Sequence, residues 1–213
     1  MMQKKNIHDA RGFSLLELIL AMTIMLIVLG LAFSLFARSL SSRQRESSRT
    51  DALTSAQAAL NVLSREIANS GYGLSTNGVI SADSNDRQIH VLSNVINTNV
   101  TLTDPGENIT YFYEPTSQSI LRYDANKGGP GVGETSVIIN RISNVEFRYF
   151  DYVGNNPVGA EVIPATGSKT NTGRVRVTIT VSLEPVAGQP NPQSVQLISD
   201  VTLRNSDYML LQY

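Results

Sequence analysis

Residues 12–37 read GFSLLELILAMTIMLIVLGLAFSLFA, and this stretch decides the fold of the chain. Glu17 is its only charged residue, and Arg11 and Arg38 flank the run. A helix rises about 1.5 Å per residue, so a run of this length is long enough to span the roughly 30 Å hydrocarbon core of a bilayer. A carboxylate inside such a run costs free energy and usually marks a function. The stretch therefore predicts a membrane-spanning helix in which Glu17 has a role.

Composition limits the chemistry that the rest of the chain can carry. The 213 residues contain no cysteine, which excludes disulfides, thiolate metal sites and cysteine nucleophiles. Of the two histidines, His8 lies in the N-terminal basic segment, and His90 alone remains for acid–base chemistry. The formal net charge of -1 and a pI near 6.1 argue against a dedicated nucleic-acid binder. We therefore predict a protein that is not an enzyme and holds no cofactor.

The segment before the apolar run has the layout of an export signal. Residues 1–12, MMQKKNIHDARG, carry Lys4, Lys5 and Arg11. A conventional signal peptide cut after Ala37 is disfavoured, because such a signal has an apolar core of roughly 7 to 15 residues and the apolar run of this chain is longer. A plain single-pass anchor remains an alternative. The short N-terminal end is placed in the cytoplasm, since long downstream domains are translocated largely regardless of charge.

The stretch RGFSLLELILAMTIMLIVLG, residues 11–30, resembles the class III signal of type IV prepilins and type II secretion pseudopilins. The resemblance lies in the basic leader ending in Gly12, in Phe13 after it, and in Glu17 at the fifth mature position. It implies cleavage between Gly12 and Phe13 by a prepilin peptidase and N-methylation of Phe13. The implied partners are other major and minor pilins in a hetero-oligomeric filament and an inner-membrane assembly platform.

Physical chemistry offers a reason for this pattern. Cleavage after Gly12 leaves an α-amino group on Phe13, one helical turn from Glu17. The amine and the carboxylate, each costly in lipid, can then neutralise one another. The resemblance implies that this pairing also runs between subunits, so that Glu17 of an incoming subunit sets the register.

The helix is expected to continue beyond the apolar run, from Phe13 to Asn69. Residues 38–51 are polar and contain no Pro or Gly. An apolar stripe with helical spacing then follows, at Leu53, Ala56, Leu60, Leu63 and Ile67. Gly71 is placed to cap the helix. Gly30 is either a point of local unwinding or a small residue for close helix packing.

From Gly71 onward the pattern changes to that of strands. RVRVTITVSL, residues 174–183, alternates apolar and polar side chains, and ITYFYEPTSQSILRYD, residues 109–124, indicates a hairpin turning at Pro115 and Ser117. The predicted strands are 87–92, 99–102, 109–113, 119–123, 136–139, 145–152, 174–183 and 195–203. The fold class is therefore α+β and pilin-like, with a long N-terminal helix, its first half transmembrane, packed on a mainly antiparallel β-sheet head.

This pattern divides the chain into four predicted segments. Residues 1–12 are the leader, 13–37 the transmembrane or filament-core half of the helix, 38–70 its continuation packed on the head, and 71–213 the β-rich globular head.

Three loops of the head are candidates for binding sites. Residues 127–135, KGGPGVGET, lack the Gly-Lys-Ser/Thr end of a phosphate loop and are expected to be a connection. Asp83, Asn85 and Asp86 offer oxygen ligands for Ca²⁺, but the pattern is short of the full loop of an EF-hand, so a solvated turn is favoured and no metal is predicted. Residues 154–173, with 188–193, are expected to be variable surface.

Two further stretches resemble minor pilins of the PilW type. They are LSREIANSGYG, residues 63–73, and VTLRN, residues 201–205. Arg65 and Glu66 in the first stretch are expected to be a solvated helix face. The resemblance implies a minor pilin or pseudopilin held in the inner membrane, with the head periplasmic, and then incorporated in or priming a type IV pilus or type II secretion pseudopilus. The alternative is a membrane-anchored periplasmic or surface ligand-binding protein or adhesin, and the mature N-terminus distinguishes the two.

Overall fold

The computed structural model describes residues 14–96, 101–152, 159–183 and 193–210. The chain divides into two compact units, Met1–Ser47 and Ser48–Tyr213. One helix, α1 (Leu15–Ala68), contributes residues to both. It agrees with the helix predicted from Phe13 to Asn69 and runs through Gly30 without interruption. The unit boundary falls inside the segment predicted as 38–70, and the four-segment division stays a prediction.

The described part of the first unit is helix alone. Every residue from Ser14 to Leu40 is exposed, and this range contains the described part of the apolar run, residues 14–37. By its length and composition, helix α1 is long and apolar enough to cross a membrane.

The second unit contains two four-stranded antiparallel sheets. The first sheet has the order β1-β2-β3-β4, and the second has the order β6-β5-β7-β8. A 3₁₀ turn at Ser81–Asp83 precedes β1, and a short helix, α2 (Asp207–Leu210), follows β8. The strands are β1 (Gln88–Leu92), β2 (Asn108–Glu114), β3 (Ser119–Asp124), β4 (Glu134–Ile139), β5 (Ile142–Asp151), β6 (Ala160–Glu161), β7 (Thr172–Leu183) and β8 (Gln193–Thr202).

One hydrophobic core joins the second part of α1 to both sheets. The buried helical residues are Ala56, Ala59, Leu60, Leu63 and Ile67. They belong to the same core as inward-facing residues of the first sheet, such as Ile89 and Tyr111, and of the second, such as Phe147 and Val177. The predicted stripe is therefore confirmed, although Leu53 is only half-buried. Burying an aliphatic side chain of this size contributes about 2 kcal/mol, so this face fixes the helix on the sheets.

Strand β7 has the burial pattern that its alternating sequence predicted. Val175, Val177, Ile179 and Val181 are buried, and the residues between them face outward. β7 pairs with β5 on one side and with β8 on the other. The predicted alternation therefore separates a buried face of β7, which packs in the core, from an outward face.

The structure differs from the sequence prediction in three details. The strands form two sheets rather than one. In the predicted strand 99–102, Thr101 and Leu102 lie in a bend, and residues 99 and 100 lie outside the described residues. The strand β6, residues 160–161, lies within the stretch predicted as loop 154–173.

The predicted cap at Gly71 also differs in its bonding. Gly71 has the left-handed φ of +79° expected after a helix. Its N–H, however, donates to the carbonyl of Leu92 at 2.8 Å rather than to a carbonyl of α1. The residue therefore ties the turn after α1 to the end of β1.

Candidate functional site

Glu17 lies in the first turn of α1 and is exposed. An acidic residue is favourable there because the N-terminal end of a helix carries partial positive charge. The predicted processing residues Gly12 and Phe13 lie outside the described residues, so the pairing of the Phe13 amine with Glu17 stays a prediction.

The helix surface that follows Glu17 is almost purely apolar. The hydroxyl of Thr23 donates to the carbonyl of Ile19 at 2.8 Å, and that of Ser34 to the carbonyl of Leu31 at 2.8 Å. Both polar side chains are thus satisfied within the helix, as lipid or a dry helix–helix contact requires. The exposed large apolar residues after Glu17 are Leu18, Ile19, Leu20, Met22, Ile24, Met25, Leu26, Ile27, Val28, Leu29, Leu31, Phe33, Leu35 and Phe36. Such a patch is far larger than soluble monomers expose, which marks it as a surface for lipid or for other helices.

The other end of α1 is closed by residues from the end of the chain. The N–H of Arg204 donates to the carbonyl of Ala68 at 3.1 Å, and its guanidinium donates to the Asn69 carboxamide oxygen at 3.2 Å. The carboxamide of Asn205 donates to the carbonyl of Ser70 at 3.1 Å. These bonds satisfy carbonyls that the helix end leaves open. They also bring together residues 63–73 and 201–205, the two stretches singled out in the sequence.

Glu66 anchors the helix to the first sheet. Its carboxylate accepts the phenol of Tyr111 at 2.5 Å and the Nε–H of Arg122 at 3.1 Å. Arg122 also donates from Nη1 to Asp124 at 3.2 Å. The pKa of Tyr111 is raised well above its usual range, mainly because the phenol is buried and next because Glu66 is adjacent.

This network corrects the prediction of a solvated Arg65 and Glu66. Arg65 is exposed as expected, but Glu66 is half-buried. The available signal was spacing, because Glu66 lies three residues after the buried Leu63 and beside the buried Ile67. Its partners Tyr111 and Arg122 carried no signal, because they lie on strands whose pairing with the helix is long-range.

The candidate calcium residues bond within the protein. Asp83 lies 3.1 Å from Nδ1 of His90, and the carboxamide oxygen of Asn85 accepts the Arg87 N–H at 2.8 Å. The backbone carbonyl of Asp86 accepts the N–H of Phe147 at 2.8 Å. Within the described residues, no group of three or more His, Cys, Asp and Glu is placed to hold a metal ion. Calcium binding at Asp83, Asn85 and Asp86, the less favoured of the two alternatives, stays untested.

The glycine-rich segment 127–135 joins β3 to β4. The N–H of Gly128 donates to the carbonyl of Val132 at 2.9 Å, and the N–H of Val132 donates to that of Gly129 at 2.9 Å. These two hydrogen bonds close a compact turn, and the segment is a connection, as its sequence indicated.

Comparison with known families gives one match. Residues 7–33 match the prokaryotic N-terminal methylation motif, which covers the second half of the predicted leader, the Gly12–Phe13 junction, Glu17 and most of the apolar run. No curated protein and no solved structure shows significant similarity to the chain. The motif supports a type IV pilin-like protein, and such proteins are structural rather than catalytic. It suggests processing by a prepilin peptidase and assembly with other pilins.

Proposed function

We propose that the chain is a minor pilin or pseudopilin, cut between Gly12 and Phe13 by a prepilin peptidase and methylated on Phe13. It is held as a single-pass protein of the inner membrane, with a cytoplasmic N-terminus and a periplasmic head, until it enters or primes a pilus or pseudopilus. One observation supports this most strongly. The methylation motif at residues 7–33 includes the beginning of an exposed apolar helix that carries Glu17 in its first turn.

The same helix surface serves two successive environments in this proposal. Before assembly, lipid covers the apolar run, and its satisfied hydroxyls impose no cost there. After assembly, the helices of neighbouring subunits cover it, and the new Phe13 amine pairs with Glu17. The pairing favours one register between subunits, because any other register leaves a charge without its partner in an apolar surrounding.

The PilW-type subclass is part of the proposal. Residues 63–73 and 201–205 resemble that group separately, and hydrogen bonds join them at the end of α1. A helix end closed by the turn after β8 suits a head that must stay folded while its helix is transferred between surroundings. The proposed partners are the prepilin peptidase, other major and minor pilins, and the inner-membrane assembly platform.

The test measures the mature N-terminus and filament incorporation together, in the native host. Wild type, Glu17→Ala, Glu17→Gln and Thr23→Val are compared. Thr23→Val is the matched control, because it removes a polar group from the same helix whose hydrogen bond is internal to that helix. Mass analysis reports the cut and the methyl group, and immunoblotting of sheared filaments reports incorporation.

We expect a methylated Phe13 in wild type and cleavage largely retained in both Glu17 variants. Incorporation should fall at least about tenfold without the carboxylate, since a buried charge without its partner costs several kcal/mol. Thr23→Val should assemble as wild type does. An intact Met1 or a start at Arg38 would contradict the proposal and favour the anchored ligand-binding protein or adhesin. Normal assembly of Glu17→Gln would contradict the register role alone.

A further inference from the structure

A cavity of about 210 Å³ lies in the second unit where four segments of chain meet. Helix α1 contributes Ser48 and Arg49, and the turn between β2 and β3 contributes Gln118. The connection between β4 and β5 contributes Arg141, and the end of β7 contributes Ser182. Among the described residues, the lining therefore holds two guanidinium groups, two hydroxyls and one carboxamide, and no carboxylate.

Neither arginine is neutralised by the protein. Among the described residues, Arg49 and Arg141 form no ion pair with any carboxylate. Other arginines of the same unit do form such pairs, as Arg122 does with Glu66 and Arg176 does with Asp200. Two guanidiniums that share a concave surface repel one another, and an anion between them removes that cost.

The backbone around the cavity is held in an uncommon conformation. Gln118 and Arg141 are the two non-glycine residues of the described chain with positive φ, at 49° and 62°. They are linked through the next residue, because the N–H of Ile142 donates to the carbonyl of Gln118 at 3.1 Å. Left-handed conformations at non-glycine residues cluster at binding sites, where the strain fixes a side-chain position. Here both line one cavity.

The donors indicate the shape of the anion. A guanidinium offers its N–H donors in a fixed fork, and hydroxyls and a carboxamide add donors from other directions. A planar carboxylate has two oxygens to share among these groups. A phosphoryl group presents three or more oxygens in a tetrahedral arrangement, which suits donors that converge from four segments.

We propose that this cavity binds a phosphoryl oxyanion, with Arg49 and Arg141 as its principal ligands. The source is either free phosphate or the phosphoryl group of a phospholipid headgroup. The proposal rests on the second unit alone and is independent of how the chain assembles.

The experiment uses the full-length protein in a neutral detergent. Inorganic phosphate is titrated at constant ionic strength, with sodium chloride as the balancing salt, and binding is measured by calorimetry. Arg49→Gln, Arg141→Gln and the double variant are compared with wild type. Arg49, Arg141 and Arg65 are all exposed, so the matched control is Arg65→Gln, which removes the same charge from the same helix as Arg49 but outside the cavity.

We expect saturable phosphate binding by wild type. Each single variant should weaken it by about tenfold or more, as the loss of a charge-assisted hydrogen bond does. The double variant should show no saturable binding, and Arg65→Gln should stay within about twofold of wild type, since Arg65 does not line the cavity and a charge outside it is screened by salt. The unfolding midpoint of each variant reports its folding. If Arg141→Gln does not fold, Arg49→Gln on the helix surface decides alone.

A second arm separates the two sources. Short-chain phosphatidylglycerol is added below its micelle concentration, with the matching diacylglycerol as the control that lacks phosphate. Displacement of phosphate by phosphatidylglycerol alone identifies a headgroup as the better ligand, and its absence identifies free phosphate. Both results support the site. The proposal is overturned if wild type binds neither probe saturably, if the double variant binds as wild type does, or if Arg65→Gln loses as much affinity as the cavity variants.

Discussion

Gly78 fixes the path of the chain between α1 and β1. Its φ is +75°, and its carbonyl accepts the N–H of Leu92 at 2.8 Å. A Cβ at this position would overlap the backbone nitrogen of Gly71 and the carbonyl oxygen of Leu92. Neither atom can move away without breaking the hydrogen bond that joins Gly71 to Leu92. The residue must therefore be glycine for reasons of both space and conformation.

Replacing Gly78 by alanine should destabilise the head strongly. Gly106→Ala is the matched control, because Gly106 also has a positive φ, +88°, but open space where its Cβ would lie. The control should lose about 1 kcal/mol from backbone strain, and Gly78→Ala should lose about 3 kcal/mol or more from strain and backbone overlap together. Urea unfolding of the full-length protein in detergent, followed by tyrosine fluorescence, measures both. Equal losses would show that the space around Gly78 is not the determinant.

Single residues differ in how far the sequence predicts them. Glu17 was recognisable because its neighbours in the chain form one contiguous pattern, and the family match covers the same residues. Gly71 was recognisable as the end of a helix, but its partner Leu92 lies 21 positions later, 92 minus 71, on a strand. No local pattern indicated the role of Gly78, because the atoms that crowd it come from two other segments. Local patterns were predictable, and close approaches between segments were not.

Among the elements, the second part of α1 combines a predictable face with a less predictable one. Its apolar stripe follows from the spacing of Ala56, Leu60, Leu63 and Ile67. Beside that stripe, the hydrogen bond from Tyr111 to Glu66 ties the helix to β2 through a phenol that must stay neutral. The pKa of a second buried phenol, Tyr149 on β5, is also raised, mainly by burial. Because both phenols are buried in the neutral form, the stability of the packing around them should decrease at alkaline pH.

The free energy of unfolding should decline above a pH of about 10, the ordinary pKa of tyrosine, because the contribution of the two buried phenols is lost there. The folded protein keeps the phenols of Tyr111 and Tyr149 protonated, and the unfolded chain releases these protons. Their contribution is therefore complete below the unfolded pKa and is lost as the pH rises toward the folded pKa. Tyr111→Phe should be less stable by about 1 kcal/mol near neutral pH, through one lost hydrogen bond, and should show a shallower alkaline decline.

The measurement is urea unfolding at a series of pH values, with tyrosinate absorbance as a second signal. Tyr72→Phe is the control, since Tyr72 is exposed and lies at the turn after α1. It should follow the wild-type curve. An alkaline decline in Tyr111→Phe as steep as that of wild type would show that the phenol of Tyr111 does not contribute to it.

For the whole molecule, the division of the strands into two sheets was beyond the sequence. β4 and β5 are separated by only two residues, Asn140 and Arg141, yet they lie in different sheets. Their alternation of apolar and polar side chains would be the same in one sheet or in two. The choice is made by long-range pairing, such as that of β5 with β7, and by the helix that both sheets cover. The α+β class was predictable because it depends on element types alone.

The second unit should fold without the first. A chain beginning at Ser48 keeps the helical stripe, both sheets and the contact of Ala68 with Arg204, so it should unfold cooperatively and remain soluble without detergent. A chain beginning at Ser70 is the control. It lacks Leu60, Leu63 and Ile67, whose burial contributes about 2 kcal/mol each, against a total stability of about 5 to 15 kcal/mol.

Circular dichroism and thermal unfolding compare the two fragments. The longer one should show a single transition, and the shorter one should show none or should aggregate. Cooperative unfolding of the shorter fragment would mean that the sheets are stable without the helix. Failure of the longer fragment would mean that residues before Ser48 are needed for folding.

The contact of Arg204 with the end of α1 also has a consequence for the order in which the protein is made. The helix leaves the ribosome first, and the groups that close its end are 135 positions further along the chain. During synthesis the end of α1 stays without these groups until Arg204 has been added. A nascent chain of this kind is exposed to proteases and to aggregation for most of its synthesis. We therefore expect the yield of folded protein to depend on how long this unfinished state persists as well as on the stability of the finished fold.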